Sequence, residues 1–308
     1  MAADTGEVMA LPRLPDFLII GAAKAGTTTL YDILHQHRQV GLSSAKEPGF
    51  FCDDEEYARG AAWYRDTYFS EVGDAAVTGE ATPRYLYWGD TVVPRLEQEY
   101  GDPLPKLIAI FRDPVALVQS FYWHSVREGR ENLPLADALA AEPERLARHG
   151  QRLRSQGLMT FGYRRIAQYA TQLQPYLARV PRERCLFLLT DDLRDFDTLL
   201  RTLETFLAID HDPRVTPVVS NSAALPRSQR VNQWLRARSP LKELAKHVLP
   251  FPVRHRLKMR AIDANLKPLR TPPMDGELAL GLRRHYAGEM QALERLIGRD
   301  LSSWYAEI

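Results

Sequence analysis

The sequence predicts an α/β chain, a central parallel sheet flanked by helices. Three observations predict it: three short, nearly all-apolar runs of strand length, a turn-forming cluster after each, and a helical repeat of apolar residues after each turn. The runs are Phe17-Leu18-Ile19-Ile20, Leu107-Ile108-Ala109-Ile110-Phe111 and Cys185-Leu186-Phe187-Leu188-Leu189. Strands buried on both faces read as continuous apolar runs, whereas half-exposed strands alternate.

The first run ends at Gly21, and a glycine-bounded loop, Gly21–Gly26, leads into Thr27–His37. There Leu30, Ile33 and Leu34 fall at helical spacing. The second run ends in Arg112-Asp113-Pro114. A helix is expected from Val115 to about Val126, with Pro114 near its first turn, where the missing N–H does no harm. The third is followed by Thr190-Asp191-Asp192, a cap-like cluster, and a helix to about Leu207. The chain closes with an amphipathic helical pattern, Glu277–Ile297, stopped by Gly298. One domain spanning 1–308 is expected, with residues 1–15 a flexible N-terminus and 227–275 a basic, proline-punctuated excursion.

The 308 residues are 45% hydrophobic and 26% charged, and 40 Lys+Arg nearly balance 39 Asp+Glu. A net charge of +1 gives no global reason to expect nucleic-acid binding. The charge is uneven, however. Arg227–Arg270 holds twelve Lys/Arg against Glu243 and Asp263, or +10, which leaves −9 for the remainder. Such a segment suits solvated helices and loops, a cover over an acceptor cleft, or peripheral contact with an anionic membrane surface. Cys52 and Cys185 have no metal-ligand spacing, so reduced thiols are expected. The N-terminus has no basic-then-apolar leader pattern and no apolar run is long enough to span a bilayer; a cytoplasmic protein is the expectation.

The loop Gly21-Ala22-Ala23-Lys24-Ala25-Gly26-Thr27-Thr28-Thr29 makes an anion site by its chemistry. Small residues let the backbone curl around an oxyanion, the first N–H groups of the helix point at it, and the threonine hydroxyls add donors. It is not a Walker A loop, because Thr27 stands where that pattern needs lysine and the lysine is at position 24. Arg112 stands at the carboxyl end of a strand, where ligands of parallel sheets bind. Its fork suits a phosphate. Ser120 lies about two helical turns further on.

GAAKAGTTTL resembles the 5′-phosphosulfate-binding loop of sulfotransferases that use 3′-phosphoadenosine-5′-phosphosulfate (PAPS). The strand-R-D-P-x5-S pattern resembles their 3′-phosphate motif. TGEATPRYL (Thr78–Leu86) is similar to the E-x-T-P segment of bacterial and glucosaminyl sulfotransferases, with Ala81 where many of the latter have lysine. NSAALPRS (Asn221–Ser228) resembles a loop that closes on the nucleotide, and LIGRDLSSW (Leu296–Trp304) the tail of bacterial members. The resemblance implies a sulfotransferase relative of the P-loop-kinase fold, with PAPS as co-substrate; no metal is expected, because no acidic Walker-B pair accompanies the loop and the lysine and helix dipole take the place of Mg²⁺. It places Lys24, Ala25, Gly26, Thr27, Thr28 and Thr29 on the 5′ side, Arg112 and Ser120 on the 3′-phosphate, and Arg227 on the 3′-phosphate or adenine. Lys46-Glu47-Pro48-Gly49-Phe50-Phe51 resembles a segment that sets a glutamate at the acceptor hydroxyl, so Glu47 is the expected general base. His124, one turn past Ser120, is the rival base. An acceptor hydroxyl on a small molecule, glycan or lipid is the expected partner, and nucleic acid is not. A P-loop kinase or NTPase, and a non-catalytic nucleotide-binding protein of the same fold, are the alternative readings.

Overall fold

The computed structural model describes residues 13–218, 224–226, 266–268 and 272–305. Residues 1–12, the 227–265 part of the basic segment and Arg227 itself lie outside the described residues.

Five parallel strands form the central sheet: β1 (Phe17–Gly21), β2 (Val40–Leu42), β3 (Val77–Ala81), β4 (Lys106–Phe111) and β5 (Cys185–Leu189), in the order β2-β3-β1-β4-β5. The three apolar runs are β1, β4 and β5, at the centre and one side of the sheet. Phe17 pairs with Gly79 on one flank and Lys106 on the other, and Leu107 through Phe111 pair with Cys185 through Leu189. Every residue of β1 is buried. From β1 the chain runs outward on one side to β2 and back to β3; from β4 it runs to β5 on the other. The order therefore reverses between β1 and β4, and a crevice opens at the carboxyl ends of strands at such a point.

The helices flanking the sheet are α1 (Thr27–Leu34), α2 (Asp54–Tyr57), α3 (Gly60–Tyr68), α4 (Arg84–Tyr87), α5 (Gly89–Tyr100), α6 (Pro114–Arg127), α7 (Leu135–Ser155), α8 (Tyr169–Leu177), α9 (Phe196–Leu207) and α10 (Gly276–Ile297). A short antiparallel pair joins β6 (Ala224–Pro226), just before the basic segment, to β7 (Leu266–Pro268), near its end. Among the described residues no helix is long and apolar enough to cross a membrane.

Local chemistry explains the helix ends. Asp113 caps α6, accepting from Ala116 N–H at 2.8 Å, with Pro114 in the first turn. Asp275 caps α10, which stops at Gly298 with φ 68°. Thr190–Arg194 is a 3-10 turn rather than the expected helix cap, and the cap of α9 is Asp195, which accepts from Thr198 N–H at 3.1 Å. Asp192 instead accepts from Leu189 N–H and pairs with Arg299 through both carboxylate oxygens, fastening the C-terminal segment to the end of β5.

β2 and β3 were not foreseen, and β3 shows why. It reads Val-Thr-Gly-Glu-Ala, with no apolar run, yet its last four residues are buried. Gly79 is required there: a Cβ would stand 2.3–2.5 Å from the ring atoms of fully buried Phe17. Overpacking a core of this kind destabilises by about 1–3 kcal/mol. Gly79→Ala is expected to lower the denaturant midpoint by that equivalent with an unchanged slope; an unshifted midpoint would mean that the Phe17 ring has room to move.

Candidate active site

A cleft of about 870 Å³ opens at the carboxyl ends of β1, β4 and β5. It brings together Lys24, Ala25, Gly26, Thr27, Thr28, Thr29, Glu47, Arg112, Ser120 and His124, all of the expected site residues that are described.

The loop after β1 is held by its neighbours' strand ends. Ala22 N–H donates to Ile110 O of β4 at 2.8 Å. Arg112 Nη1 donates to Lys24 O at 3.2 Å, and Thr190 Oγ1 donates to Ala25 O at 2.7 Å. Thr190 Oγ1 also lies 3.1 Å from Phe111 O, the last residue of β4. Gly26 has φ 121°, and a Cβ on it would meet Leu193 Cδ1 at 2.6 Å, so only glycine allows this close approach. Gly26 also caps α1 with no side-chain hydrogen bond. The first N–H groups of a helix lack intrahelical partners, so this end of α1 is suited to an anion.

Cations surround the loop. Burial, together with the charges of Arg127, Lys46 and Arg112, pushes the Lys24 ammonium below its ordinary pKa, and the nearby Glu47 carboxylate pulls it back up. Burial likewise lowers Lys46, which donates to the Thr28 hydroxyl inside the loop. Lys46, in sequence only the neighbour of Glu47, is a second cation of the loop.

Ser120, His124 and Arg127 follow one another along α6 at i, i+4 and i+7, and all three line the cleft. That spacing was the available signal for Arg127. Its guanidinium donates to His124 Nδ1 at 2.8 Å. With Nδ1 accepting, the ring hydrogen is assigned to Nε2, which makes that nitrogen a donor. Arg84, Arg130, Thr160 and Thr190 also line the cleft and were missed. Of the aromatics near the acceptor motifs, Phe50, Phe51, Tyr64 and Tyr85 are fully buried core, Phe50 stacking on Tyr64 at 4.4 Å, while Trp123 lines the cleft.

Glu47 is exposed, at φ 59°, at the start of a loop that is buried from Pro48 onward. A left-handed backbone is uncommon for a non-glycine residue and is seen where the surroundings over-determine it. Such a carboxylate is chemically able to accept a proton from a hydroxyl brought to the cleft.

The sign of the Lys24 shift has a direct readout. A lysine lowered by folding is disfavoured as ammonium in the native state; that penalty is full below the lowered value and is relieved as pH rises through it. In competitive acetylation across pH, Lys24 should therefore become reactive at lower pH than a free lysine side chain. Inorganic sulfate or phosphate in the loop favours the ammonium and should move that onset upward. A Lys24 that titrates with free lysine, with or without the anion, would contradict the half-buried, cation-ringed placement.

Residues 14–230 match the family model described as "Sulfotransferase domain". The mouse protein "Heparan sulfate glucosamine 3-O-sulfotransferase 3A1" is 32% identical over 200 residues, covering 64% of this chain and 46% of that protein. The mouse 3B1 protein is also 32% identical over 200 residues, covering 64% of this chain and 47% of that protein. The matched region thus spans less than half the length of these curated relatives. Among solved structures, a sulfotransferase from Alicyclobacillus acidocaldarius superposes with a TM-score of 0.67 at 26% identity, covering 95% of this chain and 99% of that one. The strand–loop–helix with Lys24, the strand that leads into Arg112 and the helix carrying Ser120 all fall within the matched region, and the chain belongs to the sulfotransferase-domain family.

Proposed function

We propose that this chain moves a sulfuryl group from PAPS to an acceptor hydroxyl, with Glu47 as the general base. The observation that carries the reading is the meeting of three groups in one cleft: the Lys24 loop, the Arg112–Ser120 pair, and the Glu47 carboxylate. The first two suit the two phosphate-bearing ends of a 3′-phosphorylated adenine nucleotide, and the third suits a nucleophile's proton.

In this reading the acceptor oxygen attacks sulfur in line while Glu47 takes its proton. The bond between sulfur and the bridging phosphate oxygen breaks, and adenosine 3′,5′-bisphosphate departs. Lys24 and the N–H groups of α1 stabilise the charge that grows on the bridging oxygen. Arg112 and Ser120 hold the 3′-phosphate, which fixes the donor against sliding along the cleft. Family membership supports the reaction class. The names of the mammalian relatives support a sugar hydroxyl as acceptor; lipid and specialised-metabolite hydroxyls belong to the same chemistry.

Two features favour Glu47 over His124 as the base. Glu47 is exposed in the cleft wall next to Lys24, and His124 already uses Nδ1 to accept from Arg127. The kinase reading is disfavoured by the lysine at position 24, since the Walker A pattern requires it after the second glycine.

The test is transfer from PAPS to a panel of hydroxyl acceptors, followed as +SO₃ products by mass spectrometry. A general base contributes about 10²–10⁴-fold, so Glu47→Gln is expected to reduce turnover by that factor with nucleotide affinity retained. Lys24→Ala is expected to lose turnover and also weaken nucleotide binding, because Lys24 touches the donor. Full turnover in Glu47→Gln with none in His124→Ala would transfer the base role to His124.

A further inference from the structure

Glu80 is a buried carboxylate that the chemistry above does not use. It has no exposed surface, and three hydroxyls converge on it. Tyr64 and Tyr85 donate to Oε1 at 2.6 and 2.7 Å, and Thr82 donates to Oε2 at 2.6 Å. Burial pushes this carboxyl up, while the three hydroxyls and the Arg84 guanidinium pull it back. A buried, hydrogen-bonded carboxylate is weak evidence for stability, because an apolar group of similar volume is often as good or better there. Its presence calls for another reason.

Two of the three hydroxyls face the loop that carries Glu47. Thr82 Oγ1 accepts from Gly49 N–H, and Tyr85 Oη accepts from Phe51 N–H, both at 3.3 Å. A hydroxyl has one hydrogen and two lone pairs. With the hydrogen committed to Glu80, the lone pairs of Thr82 and Tyr85 are turned to the loop's N–H groups. Each bond is long and weak alone, but the two act two residues apart on one segment. Gly49 O in turn accepts from Cys52 N–H and Asp53 N–H, both at 3.0 Å, which locks the following turn. Gly49 sits at φ 76°, and a Cβ there would strike Arg84 Nη2 at 2.2 Å. The backbone is thus clamped two residues after Glu47, which itself stands in a left-handed conformation.

We propose that Glu80, acting through the Thr82 and Tyr85 hydroxyls, is a positioning residue that holds the Glu47 loop in register with the donor cleft. Glu80 touches no substrate; it orients two hydroxyls, they fix the Gly49 and Phe51 amides, and these set where the Glu47 carboxylate stands. The proposal rests on Glu47 being the base.

The experiment is a double-mutant cycle on the full chain with Thr82→Val, Glu47→Gln and both together. Donor KM, kcat, adenosine 3′,5′-bisphosphate affinity and unfolding midpoint are measured for each. A misplacement near 1 Å costs about 10²-fold, so Thr82→Val is expected to lower kcat by about 10–100-fold, with donor KM and nucleotide affinity unchanged. Thr82→Ser, which keeps the hydroxyl, should recover most of that loss. In the Glu47→Gln background, Thr82→Val should remove little further rate, because the base it positions is gone. Tyr85→Phe cuts the second arm and should reproduce the pattern if Thr82→Val folds poorly. Wild-type kcat in Thr82→Val and Tyr85→Phe, alongside a lost rate in Glu47→Gln, overturns the positioning role alone. Fully additive losses in the double variant overturn it too. A wild-type rate in Glu47→Gln overturns the base assignment and this proposal together.

Discussion

The hydrogen bonds that tie the loop after β1 to the ends of β4 and β5 set the position of the cleft's charges. Ala22 N–H reaches Ile110 O, Arg112 reaches Lys24 O, and Thr190 reaches Ala25 O. The parallel register makes these contacts possible, because it brings three strand ends to one level. Arg112 is both a structural strut and a cation of the site. Its guanidinium has five N–H donors, so one bond to the Lys24 carbonyl leaves donors for a phosphate. The Thr190–Arg194 turn backs the same loop through Leu193, and Arg299 holds that turn from the C-terminal side. A segment 107 residues beyond Asp192 in sequence thereby supports the turn that backs the loop after β1.

Magnitudes indicate what would hold a ligand there. A helix N-terminus contributes about 0.3–1 kcal/mol to an anion at an exposed site. A single charge pair about 8 Å apart at an effective dielectric near 20 contributes about 2 kcal/mol. Four side-chain cations, Lys24, Lys46, Arg112 and Arg127, act on the loop, so they outweigh the helix end, whose part is geometric: it aims N–H groups. Burial is the first penalty on the Lys24 ammonium, and repulsion from the neighbouring cations adds to it. A polyanionic nucleotide relieves both effects, and a singly charged ligand relieves only part.

How much of this was legible depended on whether a residue's partner was near in sequence. β1, β4 and β5 were readable because a strand buried on both faces must be apolar throughout. β3 was not, because its burial depends on a glycine that makes room for Phe17 and on a glutamate satisfied by hydroxyls from Tyr64, Thr82 and Tyr85. That the loop after β1 and Arg112 meet at the strand ends was readable from residue type and place alone. Glu47 was assigned by resemblance, and the clamp on its loop could not be read without knowing that Tyr85 and Phe51 meet. Arg127 was within reach, seven residues after Ser120 on one helix face. Thr190 was mistaken for a cap residue because a threonine before two aspartates carries the same local signal whether it ends a strand or opens a helix.

The central claim is that this cleft is built for a nucleotide with a second phosphate on its 3′ side, and calorimetric titration without added Mg²⁺ tests it most directly. Adenosine 3′,5′-bisphosphate and AMP are titrated into the wild-type chain and into Arg112→Ala. The expected result is much tighter binding of the bisphosphate by the wild type, with most of that difference lost in Arg112→Ala. Equal affinity of the wild type for the two nucleotides would contradict the assignment.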